Sequence, residues 1–185
     1  EMGCNTLIVV DCGTKDGAVL DEASRQGIRV IVFDHHTPGE VPPYRVTVNP
    51  QIDGNATGKR LCAASLLWAW AWIYEIVPRN RLSALSDLAA LATIADCMPL
   101  DLMNRAIVRS GICRIRHSPR PGIMRLIRRL GLELPNVNEE HLAMKVIPCL
   151  NAAGRLECAD TAVNVMLGAS GMEEDIETLI ALNRK

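Results

Sequence analysis

"TLIVVDCGTKDGAVLDEASRQGIRVIVFDHH", residues 6–36, decides the fold. Thr6–Asp11 and Arg29–Asp34 are short β-branched runs, each read as a buried strand. Between them "GAVLDEASRQG", residues 17–27, has helical spacing and closes on Gly27, a residue suited to a helix C-terminus. Strand, helix and strand in about thirty residues make a βαβ unit. The two strands are therefore expected to run parallel.

Working outward, "YRVTVN" (Tyr44 to Asn49) is expected to add a third strand after the turn-rich "TPGEVPP". From Leu61 onward the pattern is helical, with helices expected near 61–77, 83–95, 102–116, 121–130, 138–147, 159–168 and 172–184. "SPRPG" and "LPNVN" supply loop signals between some of them. This is an α/β layout, a parallel sheet first and helices after.

Composition bounds the function classes. The chain has 185 residues, 49% hydrophobic, with a net charge of -1, so no global charge points to a nucleic acid or a membrane. Six aromatic residues (three Trp, two Tyr, one Phe) leave the core to aliphatic side chains. Seven cysteines without a CxxC pair read as reduced thiols of a cytoplasmic protein. The apolar stretch Leu61–Val77 reads as a buried helix rather than a membrane span. Between Arg105 and Arg129 stand eight arginines (105, 109, 114, 116, 120, 125, 128, 129) and no acid. Two readings of that run stand: a solvated helical face or a phosphate-binding face. The chain begins at Glu1 and ends in "IETLIALNRK", and both ends read as cut from something longer.

Ligands of open α/β sheets bind beyond the carboxyl ends of the strands. Both expected strands end in metal-capable side chains, Asp11 on the first and Asp34, His35 and His36 on the second. Consecutive residues of an extended segment point to opposite sides. One of His35 and His36 is therefore expected on a metal and the other toward substrate, with Asp34 orienting an imidazole from behind. Asp96 closes the small-residue run "DLAALATIAD". A carboxylate at a helix C-terminus is unfavourable against the dipole and asks for a cation. In "PCLNAAGRL", residues 148–156, small residues permit close approach, Asn151 offers an amide and Arg155 offers a fork for phosphate.

These stretches, in this order, resemble the DHH phosphoesterase superfamily, and within it the RecJ-type single-strand exonucleases. "LIVVDCGTKD" resembles the second motif. "VFDHHTPGE" followed by "VNP" resembles the third, name-giving motif, and "DLAALATIADCMPLDLMNRAIVRSGI" the fourth. "PCLNAAGRL" resembles the RecJ-type stretch before a linker helix. The resemblance implies a parallel, Rossmann-like sheet followed by a helical subdomain: an α/β part of the DHH domain at 1–58, a helical part at 59–170 and the start of a linker helix at 171–185. It implies Asp11 as a carboxylate bridging two metal ions, His35 and Asp96 as ligands of one ion, and His36 beside the scissile phosphate. Asn151 and Arg155 fall on the substrate side, and Arg105, Arg109, Arg114 and Arg116 are candidates for the DNA backbone.

The implied activity is Mn2+- or Mg2+-dependent phosphodiester hydrolysis, degrading single-stranded DNA from the 5′ end in recombination and repair. A mixed imidazole and carboxylate shell favours Mn2+. The family's first motif, Asp-x-Asp, and its later Gly-Gly-His domain have no counterpart in these residues. The resemblance thus implies a half-built site with little nuclease activity and an exposed sheet edge open to self-association. The rival readings are a phosphodiesterase for cyclic dinucleotides or short oligonucleotides, and a catalytically dead module that binds DNA or a partner.

Overall fold

A computed structural model describes residues 3–40, 44–52, 58–155 (Arg155 without its side chain) and 159–184. The βαβ unit forms as expected. β1 (Thr6–Val10), α1 (Gly17–Arg25) and β2 (Arg29–Phe33) are followed by β3 (Thr47–Val48), and the sheet runs β1-β2-β3. Both strand pairs are parallel, with Thr6 opposite Arg29 and Val10 opposite Phe33. β3 is shorter than its sequence run. Pro50 has no N–H for a ladder and restricts Asn49 before it, so regular pairing stops at Val48.

The helices follow: α2 (Ala63–Ile73), α3 (Arg79–Ser83), α4 (Ser86–Ala95), α5 (Leu102–His117), α6 (Pro121–Arg129), α7 (Glu139–His141), α8 (Ile147–Asn151), α9 (Asp160–Leu167) and α10 (Met172–Asn183). Two expected helices break, for local reasons. The one expected at 61–77 ends at Ile73 because Glu75 takes a left-handed φ of 51° ahead of Pro78. The one expected at 138–147 opens into a π turn over Leu142–Val146. Pro148 lacks the N–H that the Met144 carbonyl would accept, and the Ile147 N–H instead reaches back five residues to the Leu142 carbonyl.

The chain divides into two compact units, Glu1–Ser83 with Met98–Asn104, and Ala84–Cys97 with Arg105–Lys185. In the first, Leu20, Val30, Val32 and Tyr44 form a small buried cluster under the sheet, and Phe33 meets Trp70 of α2 edge-on with ring centroids 5.1 Å apart. Asn104, fully buried, donates to the Arg60 and Pro99 carbonyls at 2.7 and 2.8 Å and pins 98–104 to this unit. β1 is the outer strand of the described sheet, and Leu7, Ile8 and Val10 on it are exposed. No helix among the described residues is long and apolar enough to cross a membrane.

The second unit is held by a larger aliphatic core that includes Ile115, Ile123, Leu126, Leu142, Ile176 and Leu179. Gly122 lets α6 approach α9 closely, since a Cβ there would sit 1.8 Å from the Val165 carbonyl oxygen. Among the described residues of this unit one charged side chain, Asp87, is buried. Asp87 of α4 has no solvent exposure and pairs with Arg120 Nε at 2.8 Å, while Arg120 also donates to the Ala84 carbonyl. Removing one partner of such a pair strands the other charge. Asp87→Ala is expected to lower stability by about 3–5 kcal/mol in urea denaturation, with Arg120→Met together with Asp87→Leu recovering much of the loss.

Candidate metal centre

The parallel register decides which side chains meet. Val10 lies opposite Phe33, so the residues just past them, Asp11 and Asp34, emerge side by side at the carboxyl ends of β1 and β2. The Asp11 N–H continues the ladder to the Phe33 carbonyl at 2.9 Å. Asp11 then takes a φ of 67°, a left-handed conformation that aspartate tolerates better than most residues. Its Oδ1 lies 3.2 Å from His35 Nε2.

Asp34 is buried, 1% exposed, and is surrounded by donors. Its Oδ2 accepts the Thr14 N–H at 2.9 Å. Its Oδ1 accepts the N–H groups of His35 at 2.8 Å and His36 at 3.3 Å, and faces His36 Nδ1 at 2.7 Å. Burial alone would raise its pKa, but the bonds from Thr14 and His36 outweigh burial and hold the carboxyl well below the usual carboxylate range. A carboxylate there places the His36 ring proton on Nδ1 and leaves Nε2 to face outward.

One sequence expectation is corrected. His35 and His36 do not point to opposite sides; their ring centroids are 4.6 Å apart at 54°. The extended geometry stops at Phe33, and the Asp34 carboxylate gathers the next two backbone N–H groups in an Asx-type turn that curls the chain. Ligand-capable atoms of Asp11, His35 and His36 consequently all lie within 4.8 Å of one another. Two imidazoles and a carboxylate at that spacing fit a divalent ion of the Mn2+ type. The rings differ in setting: the His35 side chain is 12% exposed against Asp11, whereas that of His36 is 57% exposed.

The remaining sequence candidates lie in the second unit. Asp96 caps the carboxyl end of α4, its N–H bonded to the Ala92 carbonyl, and Cys97 beyond it has a φ of 51°. Asn151 ends α8 on the surface, and Gly154 has open space where a Cβ would stand. The Arg155 side chain lies outside the described residues. No arginine of the run is fully buried and five (Arg105, Arg109, Arg116, Arg128 and Arg129) are exposed, yet several have partners within the chain. Arg116 donates to the Val137 carbonyl at 2.7 Å, Arg120 pairs with Asp87, Arg125 with Glu173 at 2.8 Å and Arg129 with Glu177 at 2.5 Å. Arg114 is half-buried, and Arg105 and Arg109 lie one turn apart on the exposed face of α5. Thr14 and Asn49, both buried beside the histidines, were not singled out by sequence reasoning. A Thr in a loop and an Asn before Pro carry no ligand signature, and their signal is the strand-end position alone.

Asp34 makes stability depend on pH. Its folded pKa lies below that of the unfolded chain, so its contribution is fully present above about pH 4 and is lost as pH falls toward the folded pKa. Asp34→Asn is therefore expected to unfold more easily than the parent chain at neutral pH, with the gap narrowing in acid. Urea midpoints across that pH range measure it, and a constant gap would contradict the assignment.

Residues 5–95 match the DHH family, N-terminal domain. The chain is 35% identical over 179 residues to the single-stranded-DNA-specific exonuclease RecJ of Bacillus subtilis, a match covering 95% of this chain and 22% of that protein. It is 37% identical over 162 residues to RecJ of Thermus thermophilus, covering 87% of this chain and 24% of that one. The chain thus spans about a quarter of the length of these relatives. Among solved structures, exonuclease RecJ bound to manganese superposes with a TM-score of 0.80 at 34% identity, covering 97% of this chain and 46% of that chain.

Proposed function

We propose that this chain, whose residues 5–95 match the DHH family, N-terminal domain, is the metal-binding part of a RecJ-like nuclease of that family that degrades single-stranded DNA from the 5′ end in recombination and repair. The observation that carries the reading is the convergence of Asp11, His35 and His36 within 4.8 Å at the carboxyl ends of two parallel strands. In this reading Asp11 and the less exposed His35 hold the ion. A bound Mn2+ or Mg2+ supplies Lewis acidity, lowering the pKa of a water and neutralising phosphate charge. The exposed ring of His36, fixed by Asp34, faces the scissile phosphate and holds a proton or hydrogen bond at Nε2. Asn151 and Arg155 serve the substrate side, and Arg105 and Arg109 the DNA backbone.

The test is a Mn2+ titration followed by electron paramagnetic resonance, with single-stranded DNA binding measured in parallel. His35→Ala is expected to weaken Mn2+ at least as much as loss of a supporting residue does, about tenfold or more. The resemblance alone assigns Asp96 to the same ion, so Asp96→Asn is run beside it. Arg105→Ala with Arg109→Ala is expected to leave Mn2+ binding intact and to flatten the salt dependence of DNA binding by roughly 0.7 per arginine. Unchanged Mn2+ affinity in His35→Ala would remove the proposed centre.

The same reading includes self-association through β1. Leu7, Ile8 and Val10 are exposed on the outer strand of the described sheet, and unpaired strand edges template further pairing. Sedimentation should show concentration-dependent assembly of this chain, suppressed by Ile8→Lys. A monomer at all concentrations contradicts it.

A further inference from the structure

We propose that Asn49 and Thr14 are positioning residues that hold the catalytic His36 in place, an inference that deepens the metal-dependent reading above and rests on it. Each of the three strands delivers one polar residue just beyond its carboxyl end: Thr14 after β1, Asp34 after β2 and Asn49 after β3. They are 1%, 1% and 4% exposed. Polar groups so deeply buried are costly unless hydrogen-bonded, and these three satisfy one another. Asn49 Nδ2 donates to Thr14 Oγ1 at 2.8 Å and to the His36 carbonyl at 2.9 Å. The Thr14 N–H donates to Asp34 Oδ2, and Asp34 Oδ1 receives His36 Nδ1. The circuit therefore closes on His36, whose carbonyl is held by Asn49 and whose ring is held by Asp34.

His36 needs this arrangement. Its side chain is 57% exposed, so packing does little to confine the ring. A catalytic group held within a small angular range avoids the entropy loss of finding its geometry at each turnover. The residue type at 49 is specific. The His36 carbonyl requires a donor and the Gln51 N–H, 2.9 Å from Asn49 Oδ1, requires an acceptor. An amide meets both demands and also gives its second hydrogen to Thr14. Aspartate has the same shape without the donor and would set a negative charge against the His36 carbonyl. Pro50 adds backbone stiffness, because the residue before proline is restricted to extended conformations.

The experiment is 15N NMR of the histidine rings in the metal-free chain, in mildly alkaline buffer, followed by Mn2+ titration and thermal melting of the same samples. The parent chain should show His36 as one tautomer with its proton on Nδ1. Asn49→Asp should give mixed or exchange-broadened His36 signals, with Mn2+ affinity kept because Asp11 and His35 are untouched. Thr14→Val should move in the same direction, and Thr14→Ser, which keeps the hydroxyl, should restore the parent signals. An Asn49→Asp chain that melts near the parent and keeps the single His36 tautomer overturns the proposal. Should Asn49→Asp fail to fold, Thr14→Val indistinguishable from Thr14→Ser overturns it instead. If the parent chain binds no Mn2+, the metal reading fails, while the tautomer comparison still decides the positioning role.

Discussion

The Asp34 carboxylate is the constraint from which the centre follows. One buried side chain accepts three backbone N–H groups and faces an imidazole nitrogen. In doing so it ends β2, curls the chain so that His35 and His36 lie on one side, and selects the nitrogen that His36 presents. Without that anion the Thr14 N–H would be left unsatisfied beside it, and the two rings would have no common orientation. Stability and chemistry thus draw on the same atoms, as expected where a buried polar network is fully satisfied.

Backbone strain reaches the same centre at Asp11. Among the described residues the non-glycine positions with positive φ are Asp11, Glu75 and Cys97. Of these, Asp11 belongs to the donor cluster. Such conformations cost of order 1–3 kcal/mol each and persist where the surroundings impose them. At Asp11 the imposing element is visible: its N–H is held by the Phe33 carbonyl, and Gly13 two residues on also has a positive φ, 102°. Turning the chain left-handed at the first residue past the strand brings the Asp11 carboxylate to His35.

Much of the fold was legible because it depends on local pattern. Apolar runs of five residues around a nine-residue helix leave few options besides a parallel pair, and Pro121 and Gly168 mark helix ends as sequence rules predict. What escaped was set by partners far away in sequence or by single atoms. The arginine run contains no acid, so it read as free charge, yet its partners Asp87, Glu173 and Glu177 come from α4 and α10. The rule that alternate residues face opposite ways failed at His35 and His36, because it applies only while the backbone stays extended. Asp11, Asp34, His35 and His36 were legible as candidates from the strand ends. Thr14 and Asn49 were not, because their role exists only once three strands are aligned.

The two units solve the problem of cohesion differently. The second is organised, among its described residues, around twenty buried apolar side chains. The first has an apolar cluster of four under its sheet and further buried side chains around α2, including Phe33, Leu61, Leu66 and Leu82, while its strand ends are tied by Thr14, Asp34 and Asn49. Apolar packing is non-directional and tolerates volume-conserving exchange. Hydrogen bonds fix direction, and a donor lost from a closed circuit leaves its partners buried and unpaired. The proposed centre, which sets one imidazole on the ion and the other toward the phosphate, needs direction more than bulk. In the first unit the polar circuit that cross-links the strand ends is also what aims the side chains of the proposed centre.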